Sequence, residues 1–181
     1  VACVDYAVMT NIGISHIENL GSQQNICAEK LHIIDGMKDG GVLILNGDDP
    51  ILAEVKTDRN IRIVFYGSGP DCKYQVQNIR TENNRAVFDA FIEGKIYTVA
   101  LKVPGIHNVM NAMAALAVSA EMGIDIRGAV DALEQFEGFS RRLEIFEDKG
   151  ITIIDDAYNA SPDSMKAALQ VLDSMHTEGR K

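Results

Sequence analysis

The chain has 181 residues, 46% of them hydrophobic and 24% charged, enough to fill one ordinary domain, or one domain and part of another, and unlike any disordered or collagen-like composition. Its 17 Lys and Arg stand against 26 Asp and Glu, a net charge of −9, which excludes the uniform basic face that nucleic acid and anionic membranes select. The three cysteines, Cys3, Cys27 and Cys72, are scattered and form no C-x-x-C pair, so neither a disulfide framework nor a zinc site is expected, and a reducing cytoplasm is.

In chain order, Tyr6 to Thr10 reads as a buried strand running into a loop at Asn11-Ile12-Gly13. Ser22 is placed to cap a helix whose apolar face carries Ile26, Leu31, Ile33 and Ile34 and which ends near Gly36. Gly41 to Asn46 is the next buried strand, Asp48-Asp49-Pro50 starts a short helix, and Ile61 to Tyr66 is a third strand. Strands alternating with helices predict a parallel α/β sheet. From Tyr74 the period changes to two: Tyr74 to Ile79, Ala86 to Ile92 and Ile96 to Leu101, with turns at Asn83-Asn84 and Glu93-Gly94, predict an antiparallel meander added to that sheet.

Pro104-Gly105 breaks to a long helix from Val109 to Met122, followed by a second from Ile126 to about Phe136, and Gly138-Phe139-Ser140 reads as a hinge. Leu143 to Phe146 and Ile151 to Ile154 are strands around the turn Asp148-Lys149-Gly150, and Ser161-Pro162 opens a last helix to Met175. One strand pair and one helix bury little by themselves, so residues beyond about 140 are expected to begin a second domain. The least charged stretch, Asn108 to Ala120, is shorter than the roughly 20 residues of a membrane span, and Val1 to Asn11 lacks a basic leader, so no membrane contact is expected. A start at Val1 and a polar run from His176 to Lys181 suggest a piece of something longer.

Polar residues concentrate in four places. The first is Thr10-Asn11-Ile12-Gly13 followed by His16, with Ala28-Glu29-Lys30-Leu31 further on; ligands bind at the carboxyl ends of strands in open α/β sheets, where His16 is well placed to meet a metal or phosphate. Equally, a loop His is commonly a surface residue and a helical Lys commonly solvated. The second, Gly105-Ile106-His107-Asn108 with Asn111, puts two amides on one helical face, able to donate and accept against an adenine edge, or else to cap the helix and sit satisfied in the core. The third, Gly138-Phe139-Ser140-Arg141-Arg142-Leu143-Glu144, also reads as a charged interdomain strand. In the fourth, Ile153 to Met165, a strand ends in Asp155 and Asp156 and passes through Tyr158 and Asn159 into a Ser-Pro helix start; Ser161 or Asp163 suffices as the cap, which leaves the other polar residues to be explained. There is no G-x-x-x-x-G-K-[ST] loop, since Gly94-Lys95 runs into Ile96 as a hairpin turn, and no G-x-G-x-x-G after a strand.

Together these segments resemble the Mur ligase family of ATP-dependent amide-forming enzymes, through T-N-I-G-x-x-H with A-x-K-L, G-x-H-N-x-x-N-x-x-A-A, G-x-x-R-R-x-E and D-D-x-Y-N-A-x-P-x-S-M, in the family's order. The resemblance implies a parallel-sheet central ATPase domain over residues 1–139, lacking its phosphate-loop part and carrying the antiparallel meander, and the start of a Rossmann-like carboxy-terminal domain over 140–181. It also implies roles: His16 as a Mg²⁺ ligand; Lys30 as a lysine carbamylated to an anionic metal ligand, a change that needs the neutral amine burial favours; His107, Asn108 and Asn111 beside adenine; Arg142 on ATP phosphate; Asp156 at the ribose; Tyr158 beside the nucleotide; and Asn159 in the same site. Within the family, Asp155 to Pro162 resembles the branch that joins D-alanyl-D-alanine to UDP-N-acetylmuramoyl-tripeptide through an acyl phosphate. The expected protein is a cytoplasmic monomer, and this segment by itself is expected to be inactive. A folylpolyglutamate- or cyanophycin-synthetase-like ligase and a noncatalytic nucleotide-binding fragment remain as alternatives.

Overall fold

The computed structural model describes residues 3–14, 17–175 and 179–180. Its larger part is a six-stranded sheet in sequential order: β1 (Val4–Met9), β2 (Met37–Asn46), β3 (Arg62–Gly67), β4 (Tyr74–Glu82), β5 (Arg85–Ile92) and β6 (Lys95–Ala100). Strands β1 to β4 pair in parallel and β4 to β6 antiparallel, so the predicted change from parallel sheet to meander falls at β4. Between β1 and β2 lie α1 (Ile17–Leu20) and α2 (Gln23–Leu31).

Strand β2 explains why the sheet has two covered faces. Leu43 and Leu45 pack with Met9, Ile26 and Cys27, on the side of α2. Val42 and Ile44 pack with Tyr66, Phe88 and the long helix α3 (Ile106–Glu121). A strand buried on both faces has no polar alternation, which is why it reads as an uninterrupted apolar run. The α3 side is completed by α4 (Ile126–Gln135), whose Ile126 and Val130 are buried. Asp125 caps α4 by accepting from Gly128 N, and Glu134 Oε1 accepts from Ala100 N on β6.

Three hairpin turns share one device. Asn83 and Asn84 (φ 49° and 59°), Glu93 and Gly94 (51° and 79°), and Lys149 and Gly150 (50° and 77°) all take paired left-handed conformations, as the twist of two-residue hairpin loops requires. All three were legible as turn dipeptides.

Several boundaries differ from expectation. Ser22 caps α2 by accepting from Asn25 N, but the α-helix ends at Leu31 and tightens to a 3₁₀ segment, His32–Gly36. The Asp48-Asp49-Pro50 start yields only a 3₁₀ turn, Leu52–Glu54, because Asp49 Oδ1 binds Ile51 N and Leu52 N locally. Helix α3 begins before Val109, at Ile106, with Gly105 as its N-cap.

Residues beyond Gly138 form a smaller unit: the hairpin of β7 (Glu144–Asp148) and β8 (Ile151–Asp155), and α5 (Pro162–Ser174). Leu143, Val171 and Met175 are its buried centre, with Ile145, Ile154 and Ala168 against them. Helix α5 starts with Pro162 at its first turn and a reciprocal capping box, in which Ser161 Oγ accepts from Ser164 N and Ser164 Oγ accepts from Ser161 N. Ser161→Ala removes that cap and is expected to cost about 1 kcal/mol, seen as a lower denaturation midpoint. No helix among the described residues is long and apolar enough to cross a membrane.

Candidate active site

The parallel strands end where α3 begins. There a cleft of about 730 Å³ opens between the large sheet and the small unit. Asn11 and Gly13 follow β1; His107, Asn108 and Asn111 come from the first turns of α3; Arg142 and Asp156 come from the segments before β7 and after β8. Sequence neighbours of four separate polar segments thus meet in one place, at the strand ends where open α/β sheets bind ligands.

Gly105 makes the α3 end of the cleft possible. Its φ of 99° is left-handed, and a Cβ there would lie 2.5 Å from His107 Cε1, so the imidazole packs against the bare backbone. Burial pushes the His107 pKa down, while the Asp156 carboxylate pulls it up by charge; a neutral ring keeps an acceptor nitrogen. Asn108 Nδ2 donates to Pro104 O at 2.7 Å, bracing the turn before the helix rather than capping it. Asn111 is exposed on the cleft wall, which removes the reading of a satisfied core amide.

The turn from Phe139 to Glu144 presents Arg142. Arg141 and Leu143, on either side of it, have φ of 61° and 50°, conformations that residues with a Cβ hold only when their surroundings enforce them. The surroundings do: Glu144 Oε2 accepts from Ser140 Oγ and Arg141 N, Asp156 Oδ1 accepts from Leu143 N at 3.1 Å, and Tyr158 N donates to Arg141 O at 3.0 Å.

Three predicted site residues lie outside the cleft lining. Lys30 is exposed, and its Nζ donates to Asn11 O at 3.1 Å, so it holds the main chain of a cleft residue. Tyr158 is 63% exposed, with the Arg142 guanidinium carbon 4.0 Å from its ring centroid. Asn159 is turned onto its own backbone, Oδ1 accepting from Ala160 N. His16 lies outside the described residues. Among the described residues no group of three or more His, Cys, Asp or Glu is placed to hold a metal ion.

Sequence reasoning missed the apolar half of the cleft. Leu101, Val103, Leu133, Phe136 and Phe139 line it, and the rings of Phe136 and Phe139 meet edge to face at 5.4 Å. Two aromatics bracketing Gly138 directly after a helix end were the available signal. Asp163 and Ser164, in the first turn of α5, close the far side.

Comparison with known proteins defines the class. The Mur ligase middle-domain model matches residues 1–119, and the Mur ligase glutamate ligase domain model matches 141–181; the chain belongs to the Mur ligase family. It is 43% identical over 178 residues to the UDP-N-acetylmuramoyl-tripeptide–D-alanyl-D-alanine ligase of Bacillus subtilis, covering 98% of this chain and 38% of that protein. With the UDP-N-acetylmuramate–L-alanine ligase of Desulforamulus reducens it shares 33% over 173 residues, 94% of this chain and 37% of the other. Among solved structures, MurF from Acinetobacter baumannii superposes with a TM-score of 0.88 at 31% identity, over 96% of this chain and 38% of that one. MurF ligase from Thermotoga maritima, solved in complex with ADP, gives 0.82 at 25%, over 93% and 39%. The chain therefore spans less than two fifths of the length of these relatives.

Proposed function

We propose that this chain is the nucleotide-gripping part of an ATP-dependent ligase that joins D-alanyl-D-alanine to UDP-N-acetylmuramoyl-tripeptide in the cytoplasm, its large unit spanning residues 1–139 and its small unit 140–181. The observation that carries the reading is the cleft that gathers His107, Asn108, Asn111, Arg142 and Asp156 at the strand ends; the 43% relative supports the choice of substrates. The cleft suits a nucleotide chemically. Asn111 offers a donor and an acceptor to a base edge, the Leu133 and Phe136 wall offers a ring face, and Asp156 is placed for ribose hydroxyls. Arg142 supplies a fixed, always-charged fork for phosphate oxygens.

In the reaction, the tripeptide carboxylate attacks the γ-phosphorus of ATP, forming an acyl phosphate and releasing ADP. The amine of D-alanyl-D-alanine then adds to the acyl carbon, phosphate leaves, and the amine loses a proton to give the amide. Arg142 lowers the charge on the transferring phosphoryl group, and the apolar wall excludes water that would hydrolyse the acyl phosphate. Mg²⁺ bound by His16 and a carbamylated Lys30 enter this proposal on family resemblance only, as does a monomeric state.

The test uses the full-length protein. ADP release in the presence of UDP-N-acetylmuramoyl-tripeptide is expected to require D-alanyl-D-alanine, and Arg142→Ala is expected to lower turnover about tenfold or more, the scale of one lost charged hydrogen bond. Stimulation by L-alanine with UDP-N-acetylmuramate instead would assign the chain to the activity of its 33% relative and overturn the substrate reading.

A further inference from the structure

The proposed reaction draws on the α3 side of the cleft and on Arg142, and assigns nothing to the β1 side, the loop of residues 11–13. That loop is held at its middle residue from three sides. The Ile12 side chain, 3% exposed, is packed into the core on the α2 side of the sheet. Its N–H donates to Asp49 Oδ2 at 2.7 Å, and its carbonyl accepts from Gln23 Nε2 at 2.8 Å. Just before the loop, Thr10 O accepts from Asn46 Nδ2 at 2.9 Å. Asn11 and Gly13, on either side of the pinned residue, line the cleft. The backbone of Ile12 is thus tied to the scaffold behind the loop, and its two neighbours are what the loop presents to a ligand.

Asp49 is the member of this set that a simple turn residue could not replace. Its Oδ1 accepts from Ile51 N and Leu52 N within its own turn, which an asparagine would do as well. Its Oδ2 reaches across to β1, and only a carboxylate carries acceptors at both ends. A bond to a charged acceptor is also stronger than a neutral one. The neighbouring Asp48 is tied to a different loop: it accepts from Ser68 N and Gly69 N, after β3, and neither of those residues lines the cleft.

We propose that Asp49 is a positioning residue of the cleft: through Ile12 N it fixes the loop of residues 11–13, and with it the place of Asn11 and Gly13 beside the bound reactants. This rests on the reading of the cleft as a nucleotide site. The groups read as gripping nucleotide lie on α3 and in the small unit, so a loosened loop misaligns the reactants more than it releases nucleotide. Misplacement by about 1 Å costs up to roughly 100-fold in rate.

The experiment measures, in the full-length protein, kcat, the Kd of a non-hydrolysable ATP analogue and the melting temperature. Asp49→Asn keeps an oxygen for its own turn but points an NH2 group at Ile12 N. It is expected to lower kcat about tenfold or more while the Kd changes less than about 2-fold. Gln23→Ala frees the other side of Ile12 and is expected to show the same split at smaller size, the lost bond being uncharged; it decides the matter if Asp49→Asn does not fold. Asp48→Ala releases the loop after β3 and is expected to lower the melting temperature with kcat and Kd unchanged. Equal falls in kcat for the Asp48 and Asp49 variants would make both carboxylates general supports of the sheet end and overturn the proposal. So would a silent Asp49→Asn, a loss confined to its melting temperature, or a Kd weakened as much as kcat is lowered. A wild-type protein that does not bind the analogue fails the reading of the cleft itself, a distinct result that takes the proposal with it.

Discussion

Glu121→Ala is expected to lower the stability of this chain by about 3 kcal/mol, measured by denaturant unfolding at neutral pH. Glu121 ends α3, where a carboxylate faces the negative end of the helix dipole, and its side chain is only 4% exposed. Both are costs, offset by three partners from β3 and the start of β4, which α3 packs against. Arg62 Nη2 donates at 2.8 Å, Lys73 Nζ at 2.6 Å and Tyr74 Oη at 2.7 Å. Burial alone would raise the carboxyl's pKa, but the bonds from Lys73, Tyr74 and Arg62 outweigh it and bring it down from 4.5 to about 2. A folded-state pKa below the unfolded one means stability that is complete above the unfolded value and lost as pH falls through the folded one. The window here runs from about pH 4.5 down to about 2. A shift of that size is worth on the order of 3 kcal/mol, and the half-exposed Arg62 and Lys73 keep the loss from being larger, since water takes over their solvation. Glu121→Gln keeps the shape and an acceptor oxygen, so it is expected to recover part of the stability and to flatten the acid limb. An unchanged acid limb in both variants would assign that limb to other carboxylates.

The sheet with its two covered faces was readable because its physics is local. Residues 42–45 are an apolar run, the β4 to β6 strands alternate, and the Asn83-Asn84 and Glu93-Gly94 turns carry residues that tolerate left-handed backbone. The 3₁₀ segment His32–Gly36 was not, since Ile33 and Ile34 continue the helical spacing and only tertiary packing decides that Ile34 is buried and Ile33 is 40% exposed. In the site, the polar half was legible because amides and carboxylates clustered at strand ends have few structural uses. The apolar half was not, because Leu101 and Val103 look like any core residues after a strand. Lys30 entered the candidate site through the family resemblance alone, since a helical Lys by itself reads as solvated; its long stem carries the ammonium to Asn11 O, beside the cleft.

Gly105→Ala is expected to cost about 3 kcal/mol or more and to disorganise the cleft at the same time. Two costs combine. At φ 99° and ψ 141° the N-cap of α3 takes a backbone conformation that L side chains rarely adopt, worth about 1–3 kcal/mol of strain. The added Cβ would then stand 2.5 Å from His107 Cε1 and 2.9 Å from Nδ1, with Val171 Cγ2 of α5 at 3.1 Å. The ring forms the cleft wall on one side and lines a second cavity of about 570 Å³, shared with Val171, on the other, so it can yield only by moving into one of these spaces and reshaping the cleft wall. Relief therefore requires a shift of His107 or of the first turn of α3, and Asn108 and Asn111 move with that turn. Gly150→Ala separates the two costs: its φ is 77°, yet nothing lies within 4 Å of the position a Cβ would take, so only the backbone term remains, about 1 kcal/mol. Unfolding midpoints of the two variants, read beside nucleotide binding in the full-length protein, decide the matter. The expected result is a larger loss of stability for Gly105→Ala than for Gly150→Ala, with weakened binding in the former alone. Equal losses in both would mean that His107 yields freely and that the packing around Gly105 does not hold the cleft in shape.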